Sequence, residues 1–452
     1  MKSFTVNEVL EASGGQYFGE KDILDKEISH ITTDSRKIKK DCIFAAIVGE
    51  RVDGHNFIPR CIELGTLCSI CEKTPADNSP HILVENTKEA LIKIAAAYRQ
   101  KFDIPFIGIS GSVGKTTTKE MISAVLAEKY SVMKTQGNFN NDLGVPITLF
   151  TLEDSHEIAV VEMGISDFGE MSLLASMVRP DVCVLTNVGS CHLENLKDLD
   201  GVRKAKTEMF DFINGEGKVF LSGDDAKLSE IEAVNGKSPV FFGLGENSEY
   251  TAKNIKSNNS DRTDFTICYG DNEFDAYVSA LGKHMVTNAL CATAVAKHFG
   301  LTDEEIAKGL AAYKPAGSRQ NIIKTPNLTI IDDCYNANPV SMKASMDTLA
   351  GFEGRRVAIV GDMKELGENE AELHREIGRF AVEKNLDLLI CVGPLSLNIY
   401  KEARPHIDCE WFETPEEAKL ELYEMLTIGD TVLVKASHSM KFDEIVEYIK
   451  EL

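Results

Sequence analysis

Apolar residues fall along this chain in short runs of two textures. Between residues 104 and 313, unbroken aliphatic runs alternate with stretches whose apolar positions recur at helical spacing. The runs are IPFIGIS (104–110), EIAVVEM (157–163), DVCVLTNV (181–188) and GKVFLS (217–222). Such runs suit strands covered on both faces, and helices between them give a parallel sheet. From 251 to 281 polar and apolar residues alternate around Gly270-Asp271-Asn272, which predicts an antiparallel appendage. Helical spacing returns over 285–299 and 303–313.

A second alternation follows. LTIIDDC (328–334), RRVAIVGD (355–362), DLLICVG (387–393) and DTVLVKAS (430–437) read as strands with helices between them. Pro315, Gly317 and Ser318 separate the two alternations, and 314–320 is the expected hinge. Residues 1–85 carry shorter apolar runs broken by Gly, Asp and Lys. An amphipathic stretch at 87–102 then presents Ala90, Leu91, Ile94, Ala95 and Tyr98 on one face. The expected fold is α/β in three domains: 1–85, 86–314 with a parallel sheet, and 315–452, doubly wound and Rossmann-like. A chain of 452 residues fits about three domains of about 150 each.

Composition narrows the class. Lys and Arg total 48 against 71 Asp and Glu, a net charge of −23. A chain so acidic is a poor general binder of nucleic acid or anionic membrane, though a local basic pocket still suits a small anion. No stretch approaches the roughly 20 apolar residues of a membrane span. Glu8 and Glu11 interrupt what would be the apolar core of a leader. The eleven cysteines are odd in number and lack framework spacing, so reduced thiols and a cytoplasmic setting are expected. Cys68 and Cys71 form a CxxC with no second pair, and read as small buried residues.

The strongest motif is Gly111-Ser112-Val113-Gly114-Lys115-Thr116-Thr117, between a predicted strand and an amphipathic helix bearing Met121, Ile122, Val125 and Leu126. In that context glycines let backbone N–H groups close around phosphate oxygens, and the helix N-terminus adds positive charge. Lys115 would reach the terminal phosphates and Thr116 would ligate Mg²⁺. The match is to the short G-x-x-G-K-T form, because position 109 is Ile. No N-K-x-D element accompanies it, which favours ATP over GTP.

Three residues downstream are placed to join that site. Glu162 ends a predicted strand, where a carboxylate can bind Mg²⁺ or cap a helix. His192 lies in the loop after the next strand. A loop histidine is more often structural, but the position level with Glu162 favours the site. Lys206 shares its segment with Lys204 and reads equally as a solvated helix face, because an ammonium would repel Mg²⁺. Cys191 and His192, adjacent on a strand-like segment, would point apart, so no covalent nucleophile is expected.

Taken in order, GISGSVGKTTTKEM, QGNFNNDLGVPITL, VVEMG, TNVGSCHLEN and KAKTEMF resemble the central domain of the Mur ligases, ATP-dependent amide-forming enzymes of peptidoglycan synthesis. GKHMVTNALCATAVA resembles their adenine-contacting helix. IDDCYNANPVSM, VGDMKELG and DTVLVKASHSM resemble their C-terminal domain, and TTDSR, FAAIVGE and DGHNFI their UDP-sugar-binding N-terminal domain. GSVGKTTTKE, YNANP and GDMKELG are most similar to the branch that adds D-alanyl-D-alanine to UDP-N-acetylmuramoyl-tripeptide.

The resemblance implies roles. ATP would lie on Gly111, Ser112, Val113, Gly114, Lys115, Thr116 and Thr117, with Asn288 at the adenine and Arg319 and Asp333 near the phosphates. Two Mg²⁺ ions would be held by Thr116, Glu162, His192 and a carbamylated Lys206. Substrate would meet Ser35, Arg36, Asn141, Asn336 and Asn338. Catalysis would rest on Lys115, Glu162, His192 and Lys206, in a monomer that takes neither nucleic acid nor membrane as partner.

Two positions depart from the family pattern. Met285 replaces the Asn that commonly follows the His at 284, and His438 replaces an Arg in Lys-Ala-Ser-His-Ser-Met. Rival readings are a Mur ligase adding a single amino acid, folylpolyglutamate synthase, and a P-loop switch. The segment 1–85, with YNANP and GDMKELG, speaks against the synthase. A switch would not need Glu162, His192 and Lys206 together.

Overall fold

The computed structural model describes residues 1–49, 51–258 and 262–452. Three sheets organise them. The first contains β1 (Gln16–Phe18), β2 (Ile31–Thr32), β3 (Ile43–Ala45), β4 (Cys68–Cys71) and β5 (His81–Leu83), in the order β1-β5-β4-β3-β2. Strands β2 to β5 are parallel, and β1 closes one edge antiparallel to β5. Cys68 and Cys71 both lie on β4. Cys68 enters the main core, while Cys71 packs with Phe44 and Cys61 in a small separate cluster, so the CxxC is buried packing.

The second sheet contains β6 (Phe106–Ser110), β7 (Val132–Lys134), β8 (Ile158–Glu162), β9 (Val182–Leu185), β10 (Lys218–Ser222), β11 (Val240–Phe242), β12 (Tyr250–Asn258), β13 (Arg262–Tyr269) and β14 (Asn272–Val278). Its order is β14-β13-β12-β11-β10-β9-β6-β8-β7. The predicted antiparallel segment is therefore no separate appendage. β12 joins β11 in parallel at Tyr250 and Phe242, and β13 and β14 extend the same sheet. Strand β6 lies between β8 and β9: the chain runs from β6 to β7 and β8 on one side, then crosses to β9 and β10 on the other. That is the topological switch point at which open α/β sheets bind ligands.

The helix Lys115–Leu126 buries Met121, Ile122, Val125 and Leu126 against the helix Lys283–His298 on one face of this sheet. On the other face the helix Thr87–Arg99 buries Ala90, Leu91, Ile94, Ala95 and Tyr98. Asn86 caps it by accepting from the Glu89 N–H at 3.0 Å. Tyr98 accepts from the Lys2 N–H and donates to the Leu152 carbonyl, at 2.7 and 2.8 Å. One hydrophobic core runs through this helix from Phe4 to Val234, so the first two sheets are joined by packing as well as by chain.

The third sheet contains β15 (Asn321–Lys324), β16 (Thr329–Asp332), β17 (Arg356–Gly361), β18 (Leu388–Val392), β19 (Cys409–Phe412) and β20 (Thr431–Lys435), in the order β15-β16-β20-β17-β18-β19. All but the edge strand β15 are parallel, and separate cores lie on its two faces. All three expected α/β layers are present. Among the described residues no helix is long and apolar enough to cross a membrane.

Candidate active site

The phosphate loop leaves the C-terminal end of β6 and is braced by the chain that leaves β9. The Val113 N–H donates to Asn187 Oδ1 at 2.9 Å, and the Val113 carbonyl accepts from Asn187 Nδ2 at 2.9 Å and Thr186 Oγ1 at 2.6 Å. Ser112 Oγ donates to the Gly189 carbonyl at 3.0 Å and accepts the Gly189 N–H at 2.9 Å. Two positions require glycine. Gly111 has φ +149° and a Cβ there would lie 1.9 Å from Thr186 Oγ1; Gly114 has φ +80°. Lys115 Nζ donates to the Gly111 and Ser112 carbonyls at 2.7 and 3.3 Å. Loss of water pushes its pKa down, Glu162 opposes the shift and Arg319 adds to it.

Beneath the loop is a buried acid. Glu162 is 1% exposed. Its two oxygens share the Thr116 hydroxyl at 3.0 and 2.9 Å, and Asn140 Nδ2 donates to it at 2.8 Å. Its counter-charge is Lys119, fully buried at 3.8 Å, which also donates to the Thr135 carbonyl at 2.7 Å and pairs with Glu120 at 3.0 Å. Burying an ionised carboxylate requires such compensation.

Lys206 resolves its two readings. On the helix Leu199–Thr207 it is 1% exposed while Lys204 is exposed, and its Nζ donates to the Gly111 carbonyl at 3.2 Å. Burial lowers its pKa to about 8; Cys191 opposes this and Lys115 adds to it. His192 has φ +50°, so its segment is a turn rather than strand-like. The separation from Cys191 nevertheless holds, because Cys191 Sγ donates to Ser112 Oγ at 3.1 Å while His192 Nδ1 meets Glu365 Oε2 at 2.6 Å. Desolvation lowers the His192 pKa; Glu365 opposes this, and Lys206 and Lys115 add to it.

Residues of the C-terminal domain complete a cleft of about 420 Å³. Ser112, Val113, Gly114, Lys115, Thr117, Glu162, His192 and Asn288 line one side of it. Arg319, Asp333, Asn336 and Asn338 line the other, with Asn141 at the rim. Gly111 and Thr116 lie just behind, bonded to Lys115 and Glu162 of the lining, and Lys206 is bonded in turn to Gly111. Arg319 stacks its guanidinium 3.8 Å over the Tyr335 ring. Tyr335 stands between it and the exposed His438, whose ring centroid is 5.6 Å away.

Some predicted residues are engaged differently from a free ligand contact. Asp333 has its oxygens occupied: Oδ1 accepts the Gln320 N–H at 3.1 Å, and Oδ2 accepts Lys435 Nζ at 2.7 Å and the Ser345 hydroxyl at 2.5 Å. Asn338 caps the helix Pro339–Ala350 through the Ser341 N–H at 2.9 Å, and Asn141 Oδ1 accepts the Leu143 and Gly144 N–H groups at 3.3 and 2.8 Å in the turn before Gly144–Leu149. Asn288 accepts from the Thr118 hydroxyl at 3.2 Å, and Met285 beside it is buried.

Ser35 and Arg36 are not part of this cleft. They lie in a turn after β2, where Arg36 holds Asp34 through two contacts at 2.9 Å and pushes its carboxyl down to about 2. The DGHNFI motif stands at the same end of that sheet. There Asp53 Oδ1 meets His55 Nδ1 at 2.6 Å, and the Glu72 N–H donates to His55 Nε2 at 3.0 Å. Sequence reasoning missed Asn140, Lys119, Asn187, Gln320, Lys435 and Glu365. All but Gln320 lie inside motifs quoted for other residues, and Gln320 ends the expected hinge segment; their roles come from contacts made only in the folded chain.

Comparison with known proteins accords with this geometry. Three family models match: the Mur ligase family, catalytic domain over 27–99; the Mur ligase middle domain over 109–296; and the Mur ligase, glutamate ligase domain over 318–438. The UDP-N-acetylmuramoyl-tripeptide–D-alanyl-D-alanine ligase of Bacillus subtilis is 37% identical over 433 residues, 94% of this chain and 93% of that one. A crystal structure of MurF from Acinetobacter baumannii superposes with a TM-score of 0.92 at 31% identity, over 100% of both chains. MurF ligase from Thermotoga maritima in complex with ADP gives 0.84 at 30%, over 93% of this chain and 97% of that one.

Proposed function

The chain belongs to the Mur ligase family, and we propose that it joins D-alanyl-D-alanine to the terminal carboxylate of UDP-N-acetylmuramoyl-tripeptide, converting ATP to ADP and phosphate. The observation that carries this reading is the shared cleft. Lys115 and the phosphate loop face Arg319 across about 420 Å³, room for a triphosphate and two reacting groups. The relatives named for this reaction match along nearly the whole chain.

The chemistry follows from a poor acyl donor. A carboxylate oxygen of the tripeptide attacks the γ-phosphorus; the P–O bond to ADP breaks and an acyl phosphate forms. The free amine of D-alanyl-D-alanine then attacks the acyl carbon. The amine loses its proton to solvent, the C–O bond to phosphate breaks, and phosphate leaves. In the first step two anions meet, so the cations Lys115 and Arg319 and the loop N–H groups offset the repulsion and hold the reactants in line.

The donor set fits Mg²⁺. Thr116 and Glu162 supply hard oxygen ligands beside the phosphate loop, with Asn140 orienting the carboxylate. His192 and Lys206 would hold a second ion. Bound Mg²⁺ would neutralise triphosphate charge. Lys206 fits that role as a carbamate: the ammonium gives up one proton, the neutral amine adds to CO₂ as an N–C bond forms and a C=O π bond opens, a second proton leaves, and a cation becomes an anion. The depressed pKa of about 8 supplies that neutral amine.

Ser35 and Arg36 would contact the UDP-sugar, and Asn141, Asn336 and Asn338 the peptide ends. The reaction would take place in the cytoplasm. Phosphate release tests the reading. It is expected only when ATP, UDP-muramoyl-tripeptide and D-alanyl-D-alanine are all present. Release driven by a single amino acid in place of the dipeptide would remove the chain from this branch.

A further inference from the structure

The motif Gly361-Asp362-Met363-Lys364-Glu365-Leu366-Gly367 has no part in the chemistry above. It leaves the end of β17 and is built as a rigid arm. Asp362 is fully buried; its Oδ1 accepts the N–H groups of Leu395 and Ser396 at 2.9 and 2.8 Å, and its Oδ2 accepts Lys364 Nζ at 2.7 Å. The Met363 N–H donates to His374 Nε2 at 3.0 Å, and the Lys364 N–H to Ser437 Oγ at 2.9 Å. Leu366 is buried behind the turn.

What the arm presents is Glu365. Its φ of +62° is one that a side chain bearing a Cβ seldom adopts, and its carboxylate crosses to the central domain to meet His192 Nδ1 at 2.6 Å. His192 is left-handed too, at φ +50°. The next residue but one, Gly367, lies against the backbone of Glu194, so the arm seats on the turn that carries the histidine. Strained backbone at both ends of one contact persists only where the surrounding structure imposes it.

We propose that Glu365 is a positioning residue for His192, delivered across the domain boundary by this arm. A carboxylate can only accept, so His192 must carry its proton on Nδ1, which leaves the Nε2 lone pair bare as a ligand. The contact exists only when the C-terminal domain is seated, so seating the domain completes the metal site. The proposal rests on the reading of His192 as a metal ligand. An ordinary exposed ion pair would have no such effect.

The test measures Mn²⁺ binding by electron paramagnetic resonance, in the full chain with ADP and UDP-muramoyl-tripeptide. Glu365→Ala is expected to weaken the affected ion about ten-fold, the low end of second-shell effects. Its ADP affinity in EDTA should stay at the wild-type value. Glu365→Gln, whose amide oxygen still accepts from Nδ1, should recover most of the loss. With Mg²⁺ in place of Mn²⁺, ¹⁵N spectra should show His192 protonated at Nδ1 in the wild type and a tautomer mixture in Glu365→Ala. Wild-type Mn²⁺ affinity in Glu365→Ala, with weakened binding in His192→Ala, overturns the proposal alone. Wild-type affinity in both variants overturns the ligand assignment, and the proposal falls with it.

Discussion

Lys206 Nζ donates to the carbonyl of Gly111 at 3.2 Å, which places a buried lysine against the phosphate loop. With its pKa lowered to about 8, roughly a fifth of Lys206 is neutral near pH 7.4, against about one part in a thousand for an ordinary lysine. Only the neutral amine adds to CO₂. At fixed CO₂ pressure, carbamate should therefore build steeply as pH rises toward about 8, and less steeply above it until the site is filled, because carbamylation itself releases a proton. A ¹³C carbamate signal from ¹³CO₂, absent in Lys206→Ala, checks this. Lys206→Ala should lose activity and regain part of it with added short carboxylic acids, independently of bicarbonate; full activity would remove Lys206 from the site.

The same shift sets a stability window. In CO₂-free buffer the unfolded chain, with its lysine near 10.5, binds more protons than the folded chain between about pH 8 and 10.5. Stability attributable to Lys206 therefore rises with pH across that window, and the cost of burying the ammonium is fully present below it. Lys206→Met should melt higher than the wild type at pH 7, with the difference closing near pH 10.5.

Gly111 is held by its backbone angle and by Thr186 Oγ1, 1.9 Å from where a Cβ would stand. Gly111→Ala should weaken ADP binding at least ten-fold, about 1.4 kcal/mol, as seen by calorimetry. Adding Thr186→Ala removes the nearest atom and should recover part of that loss.

Asp333 and Lys435 form a buried pair at 2.7 Å that also fastens the Gln320 N–H at the end of the expected hinge segment, 314–320. Removing one partner leaves an uncompensated charge. Lys435→Met should therefore destabilise the C-terminal domain by about 3 kcal/mol, read from its thermal transition. The double variant Asp333→Asn, Lys435→Met should recover more than half of this. Additive losses would show that the pair is not coupled.

All eleven cysteines are free, and every one except Cys268 is buried. Burial raises the thiol pKa, to about 11 at Cys61 and about 12 at Cys68. A thiol reagent should titrate about one cysteine quickly in the native protein and the rest only on unfolding.

The phosphate loop was legible because its glycines, lysine and flanking elements are all local. Glu162 and His192 were legible because strand ends converge at a switch point. Lys206 was open, because nothing in KAKTEMF says which lysine faces inward; only the packed helix exposes Lys204 and buries Lys206. Asn140 and Asn141 are neighbours of one chemistry, and only tertiary contact aims the first at Glu162. Strands β7, β11, β15 and β19 escaped the pattern because three or four residues show no clear period. The pairs Asp333–Lys435 and His192–Glu365 join residues far apart in sequence, where periodicity carries no information.

The central claim is that the tripeptide carboxylate is activated by taking the γ-phosphoryl group. Substrate labelled with ¹⁸O in both oxygens of that carboxylate tests it directly, with ATP and D-alanyl-D-alanine supplied and the released phosphate weighed by mass spectrometry. Transfer through an acyl phosphate predicts one ¹⁸O in each phosphate and the other in the new amide carbonyl. Phosphate free of ¹⁸O would contradict it.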